Sequence, residues 1–481
     1  MRYGICGKLA PVLLTIAAMV SMIVVCSSSP HRVPPPALVP NPLVTGPIPA
    51  TVTPGDPSHR YPFFSTPVDL ASRGYLEEEF FFEGTANAYS ITSPLATGSV
   101  MPGSSQPYRT RMIVRRPRFR KHFNGTVIME WQNVSAGFDL DALWAASHEH
   151  FLRRGYAWIG VSAQRMGVHA PVTGLKAWSP SRYGTLSVPI DALSFDIFSQ
   201  AVQAVRRPVG VDPMGGLPVQ RVFAAGASQS ANLLVTYHNS IHPLVGVIDG
   251  FFFVVGGAAV CTDLAVKTFK ILTETDVAGN HVAKSQAWIR QPNSDHFRRW
   301  EVAGAAHLDF HTEQELAPLQ ARDNLPELSG AACDLPAFSR IPFYFVGNAA
   351  YDHMVDWVKH NVAPPIGQDI EIATLGEQIS TLARDSFGNT LGGIRLSQHA
   401  VPTATNTGLN FPDLPATNYC RTFGSYVPFN AAKLDALYPN HATYVSRVAR
   451  VTSANAKLGF IVAEDAEATI RSAARSDVGR H

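Results

Sequence analysis

The sequence predicts an α/β fold, a mostly parallel sheet flanked by helices, and three observations carry that prediction. From residue 75 onward, short runs rich in apolar, β-branched and aromatic residues alternate with runs of helical period. At Gly226-Ala227-Ser228-Gln229-Ser230 a small-residue turn falls directly between one such β-like run and one helix-like run. Hydrophobic residues make up 46% of the chain and charged residues 16%, so there is ample material for a large buried core.

Taken in order, residues 77–84 and 108–115 predict an antiparallel opening. Residues 125–131, 156–162, 219–225, 246–255, 269–273 and 300–303 follow as strands. Their near-continuous apolar content suits burial on both faces. Helices are expected at 141–154, 192–206 and 229–239. The second places Phe195, Phe198, Ala201, Val202 and Val205 at helical spacing, a stripe for the core. A further helix is expected at 351–360, among Pro- and Gly-rich stretches at 364–367 and 388–393. No internal repeat is evident.

At 481 residues the length admits one elaborated domain or two average ones. Because no linker divides residues 62–481, they are read as one domain with a C-terminal elaboration from about residue 308. Residues 1–28 read as a signal peptide or N-terminal membrane anchor: Arg2 and Lys8 precede an apolar run over 9–26. The run approaches the roughly 17–25 apolar residues that span a bilayer. Cys26 at its end invites lipidation, but Val25 stands where a small residue is usual. Residues 29–61, with Pro34, Pro35 and Pro36 in a row, read as an extended tether. The expected location is therefore outside the cell, secreted or held on the outer face of the membrane. Of the 5 cysteines, Cys261, Cys333 and Cys420 lie beyond the leader, and the sequence does not pair them. With 39 Lys and Arg against 37 Asp and Glu, the charge balance gives no footprint for nucleic acid.

The chemistry concentrates at Ser228. A serine raised on a tight strand-to-helix turn stands clear of the sheet, and small residues at 226 and 230 permit the turn. Its hydroxyl needs a base, and His307 qualifies by following a strand through Gly304-Ala305-Ala306. The base needs an orienting carboxylate from the preceding strand end. Asp276 is chosen there, with Glu274 as runner-up and Asp249 third, since strand-end acids also serve as helix caps. The developing oxyanion requires two backbone N–H groups. One is assigned to Gln229 and the other to the loop at Gln132, Asn133 or Val134, with Asn133 preferred.

These residues resemble the α/β-hydrolase superfamily and, more narrowly, a group of bacterial α/β-hydrolase-domain proteins. The narrower likeness rests on Thr110-Arg111, Arg115-Arg116-Pro117, Asn124-Gly125, Glu130-Trp131-Gln132-Asn133-Val134-Ser135 and Arg182-Tyr183-Gly184. It continues through Asp196-Ile197-Phe198-Ser199-Gln200, Asn348-Ala349-Ala350, Arg384-Asp385 and Gly392-Gly393-Ile394-Arg395-Leu396. The resemblance implies an eight-strand sheet, a Ser, Asp, His triad order, and neither an organic cofactor nor a catalytic metal. It names no substrate.

The expected reaction is hydrolysis of a carboxylic ester, of a small molecule or a lipid, through an acyl-enzyme, with activity rising as His307 loses its proton. Three rivals share the observations. The same triad serves an acyltransferase, and the fold also suits a non-catalytic envelope scaffold. His307-Leu308-Asp309-Phe310-His311 and His148-Glu149-His150 carry ligand-type residues for a metal-dependent hydrolase, although neighbours two apart on a helix face different ways. A lid is one role for the segment after His307.

Overall fold

The computed structural model describes residues 39–90, 101–413 and 419–480. The expected leader or anchor, Cys26 and the first part of the Pro-rich run lie outside them. Among the described residues no helix is long and apolar enough to cross a membrane.

Ten strands form one sheet: β1 (Leu43–Thr45), β2 (Tyr75–Ser90), β3 (Met101–Pro117), β4 (Thr126–Trp131), β5 (Ala157–Val161), β6 (Val209–Gly210), β7 (Arg221–Ala227), β8 (Gly250–Val254), β9 (Lys267–Thr273) and β10 (Phe297–Val302). Their order across the sheet is β10-β9-β8-β7-β4-β5-β3-β2-β1-β6. β2, β3 and β5 pair antiparallel, and β5, β4 and β7 to β10 run parallel. Every residue of β4, β5, β7, β8 and β10 is buried, which explains the mainly apolar content of β4, β5, β7 and β8, while β10 buries Arg298, Arg299 and Glu301 beside its apolar residues. Helices Ala142–Arg154 and Phe343–His360 cover one face, packing Phe151, Val346 and Trp357 with Ile128, Phe252 and Trp300. Helices Ser194–Arg206 and Gln229–Thr236 cover the other, packing Ile197, Ala201 and Leu234 with Met129, Val222 and Phe251.

The chain leaves β4 toward β5 on one side and continues from β7 toward β8 on the other. The carboxyl ends of β4 and β7 therefore flank the switch point where ligands bind in open α/β sheets.

Two expectations change. The sheet has ten strands rather than eight, because β1 and β6 pair beyond β2 at its edge. The tether expected over 29–61 is, from Val39 onward, part of the domain. β1 lies in it, Ile48 N–H donates to Glu79 O (2.8 Å), and Val44 and Tyr61 are buried. Proline removes backbone donors and favours extended chain, features that suit the flanks of a short strand near a sheet edge as well as a linker.

Several of the motif arginines are spent on anchoring this segment. Arg111 and Glu79 pair at 3.0 Å with both side chains fully buried, and Arg182 and Tyr183 donate to the same Glu79 carboxylate at 2.7 Å each. Arg182 also donates to Ile48 O (3.0 Å) and Pro49 O (2.8 Å), Arg111 to Phe63 O (3.2 Å) and Arg115 to Phe64 O (3.1 Å). One cluster of charge thus pins the amino-terminal segment to the open edge of the sheet.

The helix expected over 229–239 ends at Thr236 and widens into a π turn, Tyr237–Ile241. Burial pushes His238 down to about 4, and burial followed by the neighbouring His238 pushes His242 down to about 3. The fold holds both neutral, while the unfolded chain takes up protons near pH 6.5. Their stability contribution is complete above about pH 6.5 and falls as pH drops toward about 4 for His238 and about 3 for His242. The urea midpoint is expected to be lower at pH 5 than at pH 7, with a smaller difference in His238→Gln. An equal difference in that variant would remove His238 as a source.

Candidate active site

At the carboxyl end of β7 the chain turns through Ser228 with φ 58° and ψ −117° and enters helix Gln229–Thr236. A non-glycine residue in such a conformation costs roughly 1–3 kcal/mol, so its surroundings must impose it. A Cβ on Gly226 would lie 3.0 Å from Ser230 C and O, which explains glycine two residues before the serine. Ser230, where glycine is commoner, uses its hydroxyl to close the turn: it accepts from Ala227 N–H (3.0 Å) and donates to Ala227 O (2.9 Å). Ser228 N–H donates to Val254 O at 2.9 Å. On the far side, a Cβ on Gly256 would stand 3.1 Å from Ser228 O, so a side chain there would crowd the serine's backbone.

β9 ends in a capping box. Asp276 Oδ2 accepts from Thr273 N–H (2.9 Å) and Thr273 Oγ1 (2.6 Å), opening helix Glu274–Ala278. Its other oxygen, Oδ1, lies 2.7 Å from His307 Nδ1, and His307 Nε2 lies 2.8 Å from Ser228 Oγ. Asp276 is 6% exposed and His307 20%, so the acid is shielded while the imidazole edge reaches solvent. With its proton on Nδ1, His307 donates to Asp276 and leaves Nε2 to accept from Ser228. His307 N–H is held by Thr275 Oγ1 at 3.1 Å.

The other two acids point elsewhere. Glu274 accepts from Arg384 Nη2 (2.7 Å) and Gly304 N–H (2.9 Å). Asp249 precedes β8 rather than ending a strand, so it sits at the opposite end of the sheet, paired with Arg206 and accepting Val222 N–H at 2.7 Å.

Gln229 opens its helix, so its N–H has no intrahelical acceptor. Across from it, Gln132 N–H donates to Val161 O (3.3 Å) and Val134 N–H to Gln229 Oε1 (3.4 Å). Asn133 lies between these two, its Nδ2 donating to Ala227 O at 2.9 Å, immediately before the serine. Gln164, which sequence reasoning did not single out, completes a clasp over these loops. It donates to Gln132 O (3.1 Å) and exchanges bonds of 2.6 and 3.2 Å with the Gln229 amide. Only its place just past a strand end could have signalled it.

The metal-type residues disperse. His150 Nε2 meets Asp352 (3.1 Å), His148 stacks on Trp144, His311 stacks on Tyr344, and Asp309 caps helix Phe310–Arg322. Among the described residues no group of three or more His, Cys, Asp and Glu is arranged so that it could hold a metal ion. In the elaboration, Cys333 and Cys420 form a disulfide. The short helix Cys420–Phe423 lies beside the histidine loop, with Leu308 N–H donating to Thr422 O at 2.9 Å.

A search of curated proteins finds no match. Solved structures with some likeness include a serine hydrolase without a lid from Xanthomonas campestris, 12% identical over 51% of this chain and 97% of that one, with a TM-score of 0.29. A glucuronoyl esterase from Solibacter usitatus is 8% identical over 52% of this chain and 82% of that one, with a TM-score of 0.26. The family model described as "Alpha/beta hydrolase domain" matches residues 44–471, from β1 to the last helix. The chain therefore belongs to the alpha/beta hydrolase domain family.

Proposed function

We propose that this protein is an exported serine hydrolase that cleaves carboxylic esters, with Ser228 as nucleophile, His307 as general base and Asp276 orienting the base. The observation that carries this reading is the chain of bonds from Asp276 to His307 (2.7 Å) to Ser228 (2.8 Å), ending on a serine in a strained turn at the sheet's switch point. Export is supported by the leader-like amino terminus and by the Cys333–Cys420 disulfide, which suits an oxidising compartment.

In the proposed reaction, Ser228 Oγ attacks the ester carbonyl carbon while its proton passes to His307 Nε2. The carbonyl oxygen takes the negative charge and accepts from the N–H groups of Gln229 and Asn133. Collapse of the tetrahedral intermediate breaks the bond to the alcohol, which leaves with the proton from His307. Water then attacks the acyl-enzyme, again giving a proton to His307, and Ser228 recovers it as the acid departs. Asp276 stabilises the imidazolium in both halves.

The test is intact mass after treatment with a fluorophosphonate. A single adduct is expected on the wild type and none on Ser228→Ala; no adduct on the folded wild type would overturn the reading. Asp276→Asn is expected to lower kcat about 10⁴-fold on a p-nitrophenyl ester, because an amide cannot hold the required tautomer. A loss below about tenfold would move the orienting role to another group.

A further inference from the structure

We propose that Glu274 and Arg384 are positioning residues for His307, an inference that rests on the catalytic reading above. Glu274 shares a five-residue helix with Asp276, and its side chain is fully buried. One of its oxygens accepts from Gly304 N–H at 2.9 Å, and its own N–H donates to Ala305 O at 3.1 Å. Both partners lie in the loop that leads from β10 to His307. With the bond from His307 N–H to Thr275, three links tie the acid-bearing helix to the base-bearing loop. The distance between Asp276 and His307 is therefore set by this seam as well as by their own hydrogen bond.

A buried carboxylate holds such a seam only when its charge is compensated. Arg384 supplies the compensation from the C-terminal elaboration, donating to Glu274 Oε1 at 2.7 Å. The same guanidinium donates to Gly388 O (2.9 Å) and Thr390 Oγ1 (3.2 Å). His399 accompanies it: Nε2 lies 2.8 Å from Thr390 O, and a Cβ on Gly304 would sit 2.3 Å from its Nδ1. At Gly304, with φ +74°, only glycine allows this approach. Further along the same motif, Ile394 bonds to the edge strand through Ala303 N–H (3.1 Å) and Glu301 O (2.7 Å). The Arg384-Asp385 and Gly392–Leu396 motifs, which the catalytic residues leave unexplained, thus brace the histidine loop from outside the sheet.

A displacement of about 1 Å at a catalytic group lowers turnover by about 10²-fold. Arg384→Met is expected to lower kcat on a p-nitrophenyl ester about 10- to 100-fold, with KM within about twofold, while Arg384→Lys recovers most of the loss. Glu274→Gln keeps an acceptor for Gly304 N–H and tests the same seam if Arg384→Met fails to fold; a loss of about tenfold in kcat is expected. The double variant should lose no more than the worse single, since the two residues act as one unit. Unchanged kcat in folded Glu274→Gln would overturn the inference alone, provided the wild type takes the fluorophosphonate. A loss near 10⁴-fold in Glu274→Gln beside a mild Asp276→Asn would make Glu274 the triad acid and also overturn it. No adduct on the wild type would remove the catalytic reading and this inference with it.

Discussion

Ser228→Ala is expected to lower ester turnover by about 10⁶-fold while leaving the fold intact. In the proposed mechanism the size follows from cooperation: without the hydroxyl, His307 would have no proton to take and Asp276 no imidazolium to stabilise. For the same reason Ser228→Ala/His307→Ala should be no worse than either single variant, since each already removes the unit. Alanine keeps the Cβ and with it the strain at φ 58°, so the melting temperature should stay close to that of the wild type. Turnover by progress curve and melting by circular dichroism check both parts. Residual turnover above about one per cent of wild type would mean another nucleophile.

Glu79→Ala is expected to destabilise the protein by about 3–5 kcal/mol, the largest stability effect foreseen outside the hydrophobic core. Arg111 and Glu79 are both fully buried, and Glu79 also receives Arg182 and Tyr183. Removing the carboxylate leaves Arg111 without its buried partner and frees Arg182, which holds Ile48 and Pro49. Arg73–Glu149 is the contrast: its side chains are 39% and 58% exposed, so water solvates either charge once the other is gone. Glu149→Ala should therefore change stability by less than about 1 kcal/mol. Urea denaturation at constant pH compares the two variants, and equal shifts would mean that Glu79 is not the anchor of its cluster.

The strands around the site and the serine turn are legible in sequence because each is specified within a few consecutive residues. β4, β7 and β8 are buried on both faces, so they appear as mainly apolar runs, and no distant residue is needed to recognise them. Gly226, Ser228 and Ser230 describe their own backbone, since the turn tolerates only small neighbours. The stripe from Phe195 to Val205 likewise declares its helix and buried face, and it lies within Ser194–Arg206.

Choices among chemically equal residues are a different matter. Asp276 and Glu274 stand two positions apart at one strand end, and nothing local says which faces His307. That depends on Thr273 capping one oxygen of Asp276 and on Arg384, far along the chain, drawing Glu274 away. Asp249 required the true start of β8, one residue later, which strand pairing sets. The pairing of Cys333 with Cys420 across 87 residues, and the clasp of Gln164 on Gln229, are likewise distances between remote segments.

The amino-terminal segment shows the division most plainly. By itself the sequence determined the α/β layering, the serine turn and the order of chemically competent residues, because backbone sterics and two-sided burial act between near neighbours. Only the tertiary structure decided which acid meets the histidine, which cysteines join, and that residues 39–61 close the sheet edge. Those outcomes rest on charge compensation and on hydrogen bonds between segments that become neighbours only when the chain folds.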